Sequence, residues 1–263
     1  MRILSLLTDF DVKDPFVAEM KAVIFSICPE PPTIIDITHE VERFNVRTGA
    51  FILAGAAPHF PEGTIHVAVV DPGVGSERRA ILVETKHSLY VGPDNGLLIP
   101  AASREGILHV YELTNRSLMS DHISSTFHGR DIFAPVAAHV ATGLKPETVG
   151  EEITNFVQLS FPEPSFNHRG VRCEVLHVDS FGNIITNVRP EKIEKLKLND
   201  KKKLRIRGKQ FPLRLVRTFS DLRGTEFGLL AGSQGFFEVA CRQESAASRL
   251  RVRSGDVLRV EDA

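Results

Sequence analysis

Cysteine is scarce in this chain. Its three cysteines, Cys28, Cys173 and Cys241, are an odd number in apolar surroundings, with neither CxxC spacing nor a nearby histidine pair. That excludes a disulfide scaffold and a structural zinc site, and predicts three buried thiols. Long hydrophobic runs are missing too. No uninterrupted apolar stretch approaches the roughly 20 residues of a membrane span, and MRILSLLTDF is broken by Asp9 too early for a signal peptide, so the protein is expected in the cytoplasm with no membrane partner. Net charge is nearly absent at −1, and 42% hydrophobic with 25% charged residues is the make-up of a globular protein rather than a disordered or collagen-like one.

The small net charge conceals a division. Met1 to Arg169 carries 13 basic and 21 acidic residues, a balance of −8, whereas Gly170 to Ala263 carries 19 and 12, a balance of +7. The basic excess centres on Lys201, Lys202, Lys203, Arg205, Arg207 and Lys209, with Leu204 and Ile206 alternating as in a half-buried strand. A nucleic-acid reader would interleave aromatics there, and none is present, so no nucleic-acid partner is expected; a solvated strand face or a domain-docking surface accounts for the charges.

Strand and helix signals alternate through the first half. Arg2 to Thr8 reads as a strand; Asp14-Pro15 reads as a helix entry with Asp14 as N-cap, and Phe16, Val17, Met20, Val23, Ile24 and Ile27 share one helical face. A strand at Thr33 to Ile37, a helix from about Asn45 to Phe60, and strands at Thr64 to Val70 and Ala80 to Glu84 follow, then a tight Gly92-Pro93-Asp94-Asn95-Gly96 loop. This predicts an α/β domain, a mostly parallel sheet with helices on both faces, over residues 1–152. Residues 153–169, with the run FPEPSFNHRG, read as a linker. Residues 170–263 carry short alternating segments at Val171 to His177, Asn183 to Val188, Lys203 to Arg207, Phe211 to Val216, Phe236 to Cys241 and Asp256 to Val260, which predict a smaller antiparallel β-barrel-like domain.

Sites in open α/β sheets gather beyond the carboxyl ends of strands. Three polar segments qualify: Thr8-Asp9-Phe10, Asp71-Pro72-Gly73-Val74-Gly75 with Arg78 and Arg79 after it, and His128-Gly129-Arg130-Asp131 before a helix. The Asp71 turn lacks the GK[ST] of a phosphate-binding loop and the GxGxxG spacing of a dinucleotide site. Plain structural roles compete at each place: Asp9 capping a turn, Asp131 capping the following helix, His128 buried in a core. Asp9, Asp14, Asp71, His128 and Asp131 are hard donors for a metal pair, but no HxH or HxxxH pair accompanies them and Arg78 would repel cations, so no metal is expected. In the second half, Asp179, Phe181 and Asn183 within five residues suit a small polar ligand, or a bulged turn, and Gly232-Ser233-Gln234-Gly235 and Ser245-Ala246-Ala247-Ser248 are small enough for a ligand to approach the backbone.

Taken in order, LTDF, VxxMKxVI, DITHEV, VVDPGVGSxRR, GPDNGLL, FHGRDIFAPVAA and VDxFGNxxTN resemble the SAM hydrolase (adenosine-forming) family, the SAM hydroxide adenosyltransferases, which are related to the fluorinase and chlorinase. The resemblance spans nearly the whole chain. It implies cleavage of S-adenosyl-L-methionine (SAM) by water to adenosine and L-methionine, no cofactor, and a homotrimer with the ligand between the N-terminal domain of one subunit and the C-terminal domain of its neighbour. It also implies a catalytic triad on Asp71, Arg78 and His128, a group the halogenases lack. The ribose contact falls on Asp9, beside Phe10; the methionine portion falls on Asp14; and an aromatic position near the ligand falls on Phe44. Asp179, Phe181 and Asn183 match contacts to the amino-acid end and the adenine side, with Phe219, Ser233, Gln234 and Ala247 as further substrate-binding positions. Two departures stand out. LTDFG reads Leu-Thr-Asp-Phe-Asp, with Asp11 last, and NSxGxxEIAxN reads GSQGFFEVACR, without the asparagines at Gly232 and Arg242. A nucleoside- or SAM-binding module with little turnover and a halide-dependent halogenase are the alternatives.

Overall fold

The computed structural model describes residues 2–192 and 201–262. The chain divides into two compact units, Met1–Ser160 and Phe161–Ala263.

The first unit is built on a six-stranded sheet. In chain order its elements are β1 (Ile3–Thr8), α1 (Phe16–Ile27), β2 (Thr33–Thr38), α2 (Val46–Ala56), β3 (Ile65–Val69), β4 (Ala80–Thr85), β5 (Leu89–Pro93), α3 (Ile99–Glu105), β6 (Ile107–Glu112) and α4 (Ala134–Ala141). The sheet order is β2-β1-β3-β5-β4-β6, with β1, β2, β3 and β5 parallel and β4 running against both its neighbours. Strand alternation divides the side chains between two faces. Leu4, Leu6, Ile65, Val67, Val69, Leu82 and Val91 join Met20 and Ile24 of α1 and Val136, Ala137 and Val140 of α4 in one core. Their neighbours in sequence, Leu7, His66, Ala68, Ile81 and Tyr90, are buried on the other face, where α2 packs against α3. Helices thus cover both faces, as the strand and helix alternation predicts.

The helix starts follow local chemistry. Asn45 caps α2, its side-chain oxygen accepting from Thr48 N at 3.0 Å. The expected cap of α1 is different: Pro15 occupies the N-cap position and the helix has no side-chain cap, so Asp14 lies outside it. The helix expected to run to Phe60 ends at Ala56 and tightens into a 3₁₀ turn at Ala57–His59, where Pro58 cannot donate to the preceding turn.

The second unit is a barrel. Its elements are β7 (Ser165–Asn167), β8 (Gly170–Val178), β9 (Ile184–Thr186), β10 (Lys201–Ile206), β11 (Lys209–Leu215), β12 (Phe227–Ala231), β13 (Phe237–Cys241), α5 (Ala246–Leu250) and β14 (Val257–Asp262). The order β14-β10-β11-β12-β13-β9-β8 is closed by pairing of β14 with β8, giving seven strands in a ring, with β7 added outside β8. All pairs are antiparallel except β11 with β12. The interior is filled by Val171, Cys173, Val175, Leu204, Leu229, Val239 and Leu258. Cys28, Cys173 and Cys241 are buried free thiols, and burial pushes Cys173 up to about 12. The basic strand corrects one expectation: Lys201 and Lys203 are exposed, but Lys202 points inward with its side chain buried and Nζ 3.0 Å from Asp262 Oδ1. Among the described residues no helix is long and apolar enough to cross a membrane.

Candidate active site

Because β1 and β3 are adjacent and parallel, with Thr8 opposite Val69, the chain leaves both strands at one edge of the sheet and sets Asp9 near Asp71. The turn after β3 then doubles back. Val74 N and Ser76 N donate to Asp71 O and Gly73 O at 3.3 and 3.1 Å, and Ser76 Oγ also donates to Gly73 O at 2.7 Å. Gly75 takes a φ of +76° with its Cα against the Ser125 carbonyl, where a Cβ would overlap that oxygen. The turn returns Arg78 to Asp71: Nε lies 3.0 Å from Oδ1 and 2.9 Å from Oδ2, and Nη2 donates to Oδ2 as well. Arg79 turns the other way, to Asp94 at 2.7 Å and to Asn155.

His128 arrives from a third segment. It precedes a π-helical turn at Gly129–Phe133 that leads into α4. Pro135 has no N–H for the Asp131 carbonyl, which accepts instead from Ser120 N at 3.0 Å, so the ladder is broken at this point. The Asp131 carboxylate is buried and held by Arg130 Nε at 2.7 Å and Ser124 N at 2.8 Å. Burial works against its ionisation, but the Arg130 and Ser124 hydrogen bonds outweigh it and hold the carboxyl below the usual range. Asp131 is therefore an anchor for the loop. It is neither a helix cap nor a free ligand. Gly129 packs within 3.2 to 3.3 Å of Met20, Phe127 and Phe10 at its missing Cβ, so the loop approaches closely.

The three side chains meet around one guanidinium. Arg78 Nη2 is 2.7 Å from His128 Nδ1. Arginine has only donors, so Nδ1 accepts and the imidazole carries its hydrogen on Nε2. Burial first and Arg78 second push the His128 pKa below its ordinary value, outweighing Asp71 and Asp131, which keeps the ring neutral near pH 7. The Asp71 and Arg78 side chains are 5% and 10% exposed, so the pair lies in a medium where charges interact strongly. Asp9 stands beside it: desolvation raises its pKa, the Phe44 N–H (2.9 Å to Oδ2) opposes the rise, and Asp71 reinforces it.

The remaining positions divide. Phe44 has a φ of +63° and an exposed ring, and its backbone rather than its ring holds Asp9. Phe10 packs edge-on against Phe16 and Phe127 at 5.9 and 5.7 Å between ring centres, which makes it part of the wall under the site. Asp11, where the related motif has glycine, keeps a left-handed φ of +63°, which aspartate tolerates. Asp14 is exposed. In the second unit Asp179, Phe181, Asn183, Phe219 and Ser233 line a cleft of about 780 Å³, with the Phe181 ring 79% and the Phe219 ring 46% exposed. Asp179 is engaged by its own turn, accepting from Phe181 N, Asn183 N and Asn183 Nδ2 at 3.0, 2.8 and 2.9 Å. Gln234 is exposed outside the lining, and Ala247 is buried with its N–H on Gly182 O at 2.9 Å. Reading the sequence missed Glu238 in the cleft wall, although it stands in the quoted segment GSQGFFEVACR. Among the described residues no three carboxylates, thiols or imidazoles converge in the manner of a metal site.

A carboxylate, an arginine and a neutral histidine from FHGRD, all at one sheet edge, are the geometry implied by the resemblance. The SAM hydroxide adenosyltransferase N-terminal domain matches residues 4–150 and the C-terminal domain of that family matches residues 173–259. The chain belongs to the SAM hydroxide adenosyltransferase family. Full-length similarity agrees with this membership. An (R)-S-adenosyl-L-methionine hydrolase of Salinispora tropica is 40% identical over 98% of this chain and 97% of its own length, and one of Methanocaldococcus jannaschii is 35% identical over 95% and 92%. A fluorinase of Nocardia brasiliensis is more distant, 28% identical over 98% and 96%. A crystal structure of an uncharacterized conserved protein from Thermotoga maritima superimposes with a TM-score of 0.91 at 39% identity, covering 98% of this chain and 99% of that one.

Proposed function

We propose that the protein hydrolyses SAM to adenosine and L-methionine by a single in-line displacement at the ribose 5′ carbon, with no metal, cofactor or covalent enzyme intermediate. The observation that carries this is the Arg78 bridge between Asp71 and His128, in a chain whose relatives at 35 to 40% identity are named SAM hydrolases. A sulfonium leaves without acid assistance, so the task is to hold a water oxygen in line with the departing sulfur. The oxygen bonds to the 5′ carbon, the carbon–sulfur bond breaks, and sulfur keeps the electron pair as the neutral thioether. One proton of the water must depart.

His128 is a poor acceptor for that proton, because Nδ1 is taken by Arg78 and Nε2 already bears hydrogen; it serves as a donor that fixes a lone pair of the water. Asp71 has acceptor sites beyond its Arg78 bonds, and orients the water or takes its proton. Arg78 stabilises the hydroxide character that develops. The resemblance assigns the ribose contact to Asp9 and supports a homotrimer in which a neighbouring subunit's C-terminal domain completes the site, an oligomer measurable by analytical ultracentrifugation.

Incubating pure protein with SAM and following adenosine and L-methionine tests the reaction. Product formation that persists with a chelator is expected, and Asp71→Ala should abolish turnover while leaving adenosine binding largely intact. Binding without turnover, a 5′-halogenated adenosine that requires halide, or chelator-sensitive activity restored by a divalent ion would each overturn the proposal.

A further inference from the structure

One quoted motif, DITHEV, has no task in this scheme. Its histidine lies against the corner that carries Asp9. β1 and β2 keep a regular parallel register from Ile3 opposite Thr33 to Leu6 opposite Asp36, but Leu7 stands opposite Thr38, so Ile37 is an extra residue in β2. A bulge of this kind re-aims the side chains beyond it. Here it brings His39, which is buried, to the end of β1, with Nδ1 2.9 Å from Thr8 Oγ1.

The partners decide where the hydrogens lie. His39 Nε2 is 3.2 Å from Asp36 Oδ1, and no hydrogen bond reaches that buried nitrogen among the described residues. Burial works against ionisation of Asp36, but Lys21, with Nζ 2.6 Å from Oδ2, and then His39 hold its carboxyl below the ordinary value. A carboxylate facing Nε2 places the imidazole hydrogen there, which leaves Nδ1 as an acceptor. The Thr8 hydroxyl therefore donates to Nδ1, and its oxygen is turned to accept from Phe10 N at 3.2 Å. The main chain adds to the grip: Val41 N donates to Thr8 O at 3.3 Å, and Asp11 N donates to His39 O at 2.7 Å. Asp9 is thus flanked by Thr8 and Phe10, both fixed through one hydroxyl, and its own carboxylate accepts from Phe44 N. The imidazole sets which way that hydroxyl points.

We propose that His39 is a positioning residue for Asp9: by holding the Thr8 hydroxyl it sets the direction in which the Asp9 carboxylate is presented to the ribose hydroxyls of the substrate. This rests on the ribose contact within the hydrolase reading, and it gives the DITHEV segment a part in binding the sugar.

The test compares adenosine with 2′,3′-dideoxyadenosine by calorimetry. The wild-type protein should prefer adenosine about 10- to 100-fold, the worth of hydroxyl bonds to a carboxylate. His39→Ala should lower that preference about 10-fold, almost wholly through weaker adenosine binding. Thr8→Val should do the same; it preserves the side-chain shape inside the sheet and keeps the test readable if His39→Ala does not fold. His39→Asn, whose Oδ1 can accept from Thr8 in place of Nδ1, should keep the preference within about threefold of wild type. Equal losses for the two ligands would mean a merely structural role and overturn the proposal, as would an unchanged preference in His39→Ala or Thr8→Val, or a His39→Asn as impaired as His39→Ala. The readings fail separately. A wild-type protein indifferent to the ribose hydroxyls refutes the ribose contact and this role together. SAM turnover with a preference that the variants do not move refutes only the role of His39, whereas selective loss of adenosine in a protein that never cleaves SAM refutes only the hydrolase.

Discussion

Replacing Arg78 by Met would leave the Asp71 carboxylate, 5% exposed, without the guanidinium that occupies both of its oxygens. Breaking a buried pair from one side costs about 3–5 kcal/mol, because a charge stays in a poorly solvated place. Asp71→Asn does the reverse, leaving a 10% exposed guanidinium with His128, the Arg79 carbonyl and the Phe133 ring but no counter-charge, and a similar cost is expected. The double variant Asp71→Asn/Arg78→Met holds no uncompensated charge and should lose only about 1–3 kcal/mol, so the two changes are strongly non-additive. All three variants are inactive on this reading, so the measurement is stability. The composition provides a local reporter: tryptophan is absent and the two tyrosines, Tyr90 on β5 and Tyr111 on β6, are both buried in the first unit. Urea unfolding followed by tyrosine emission therefore reads the unit that holds the triad, free of the barrel. A double variant as unstable as the sum of the singles would refute the pairing.

Two further outcomes follow from the same edge of the sheet. On the proposed ribose contact the ionised Asp9 carboxylate is the stronger acceptor, and burial raises its pKa, so KM for SAM should rise as pH falls toward a point above that group's ordinary value; Asp9→Asn should raise KM at neutral pH and flatten that limb. Gly75→Ala and Gly63→Ala both force alanine into a positive φ, but only Gly75 has a backbone oxygen in the way, so the first should cost well over 1 kcal/mol and lower turnover by moving Arg78, and the second about 1 kcal/mol with turnover intact. Indistinguishable melting curves and rates would show that the Ser125 contact does not shape the turn.

From β1 to β4 the alternation of strands and helices was legible because each element carries its own periodicity, and Leu4, Leu6, Met20 and Ile24 fell where their spacing put them. β5, α3 and β6 were not, and Gly92 and Pro93, read as the start of a tight loop, are the last residues of β5. β12 was not legible. Phe227 to Leu230 are buried on both sides, by the barrel interior and by Val216 and Leu222 outside, so no alternation marks them as a strand. The parallel pairing of β11 with β12 and the closure by β14 depend on contacts remote in sequence, which periodicity does not carry. At the site, the pair SERR did not itself distinguish Arg78 from Arg79; the turn geometry sends one to Asp71 and the other to Asp94. Asp14 looked like a cap because Asp-Pro commonly opens helices, yet the helix begins one residue later. Glu238 escaped because a polar residue in an alternating strand looks solvent-facing until the glycine opposite it is seen.

The ring of β strands is shut by β14, which lies between β8, the unit's first long strand, and β10. A nascent chain emerging amino end first can complete the Asp71 sheet early, but its barrel must wait with two open edges until Val257 to Asp262 have been made. During translation the sheet that carries Asp71 can therefore be ready well before the cleft of the second unit, and the span between those two moments is when the half-built barrel is most exposed to mispairing.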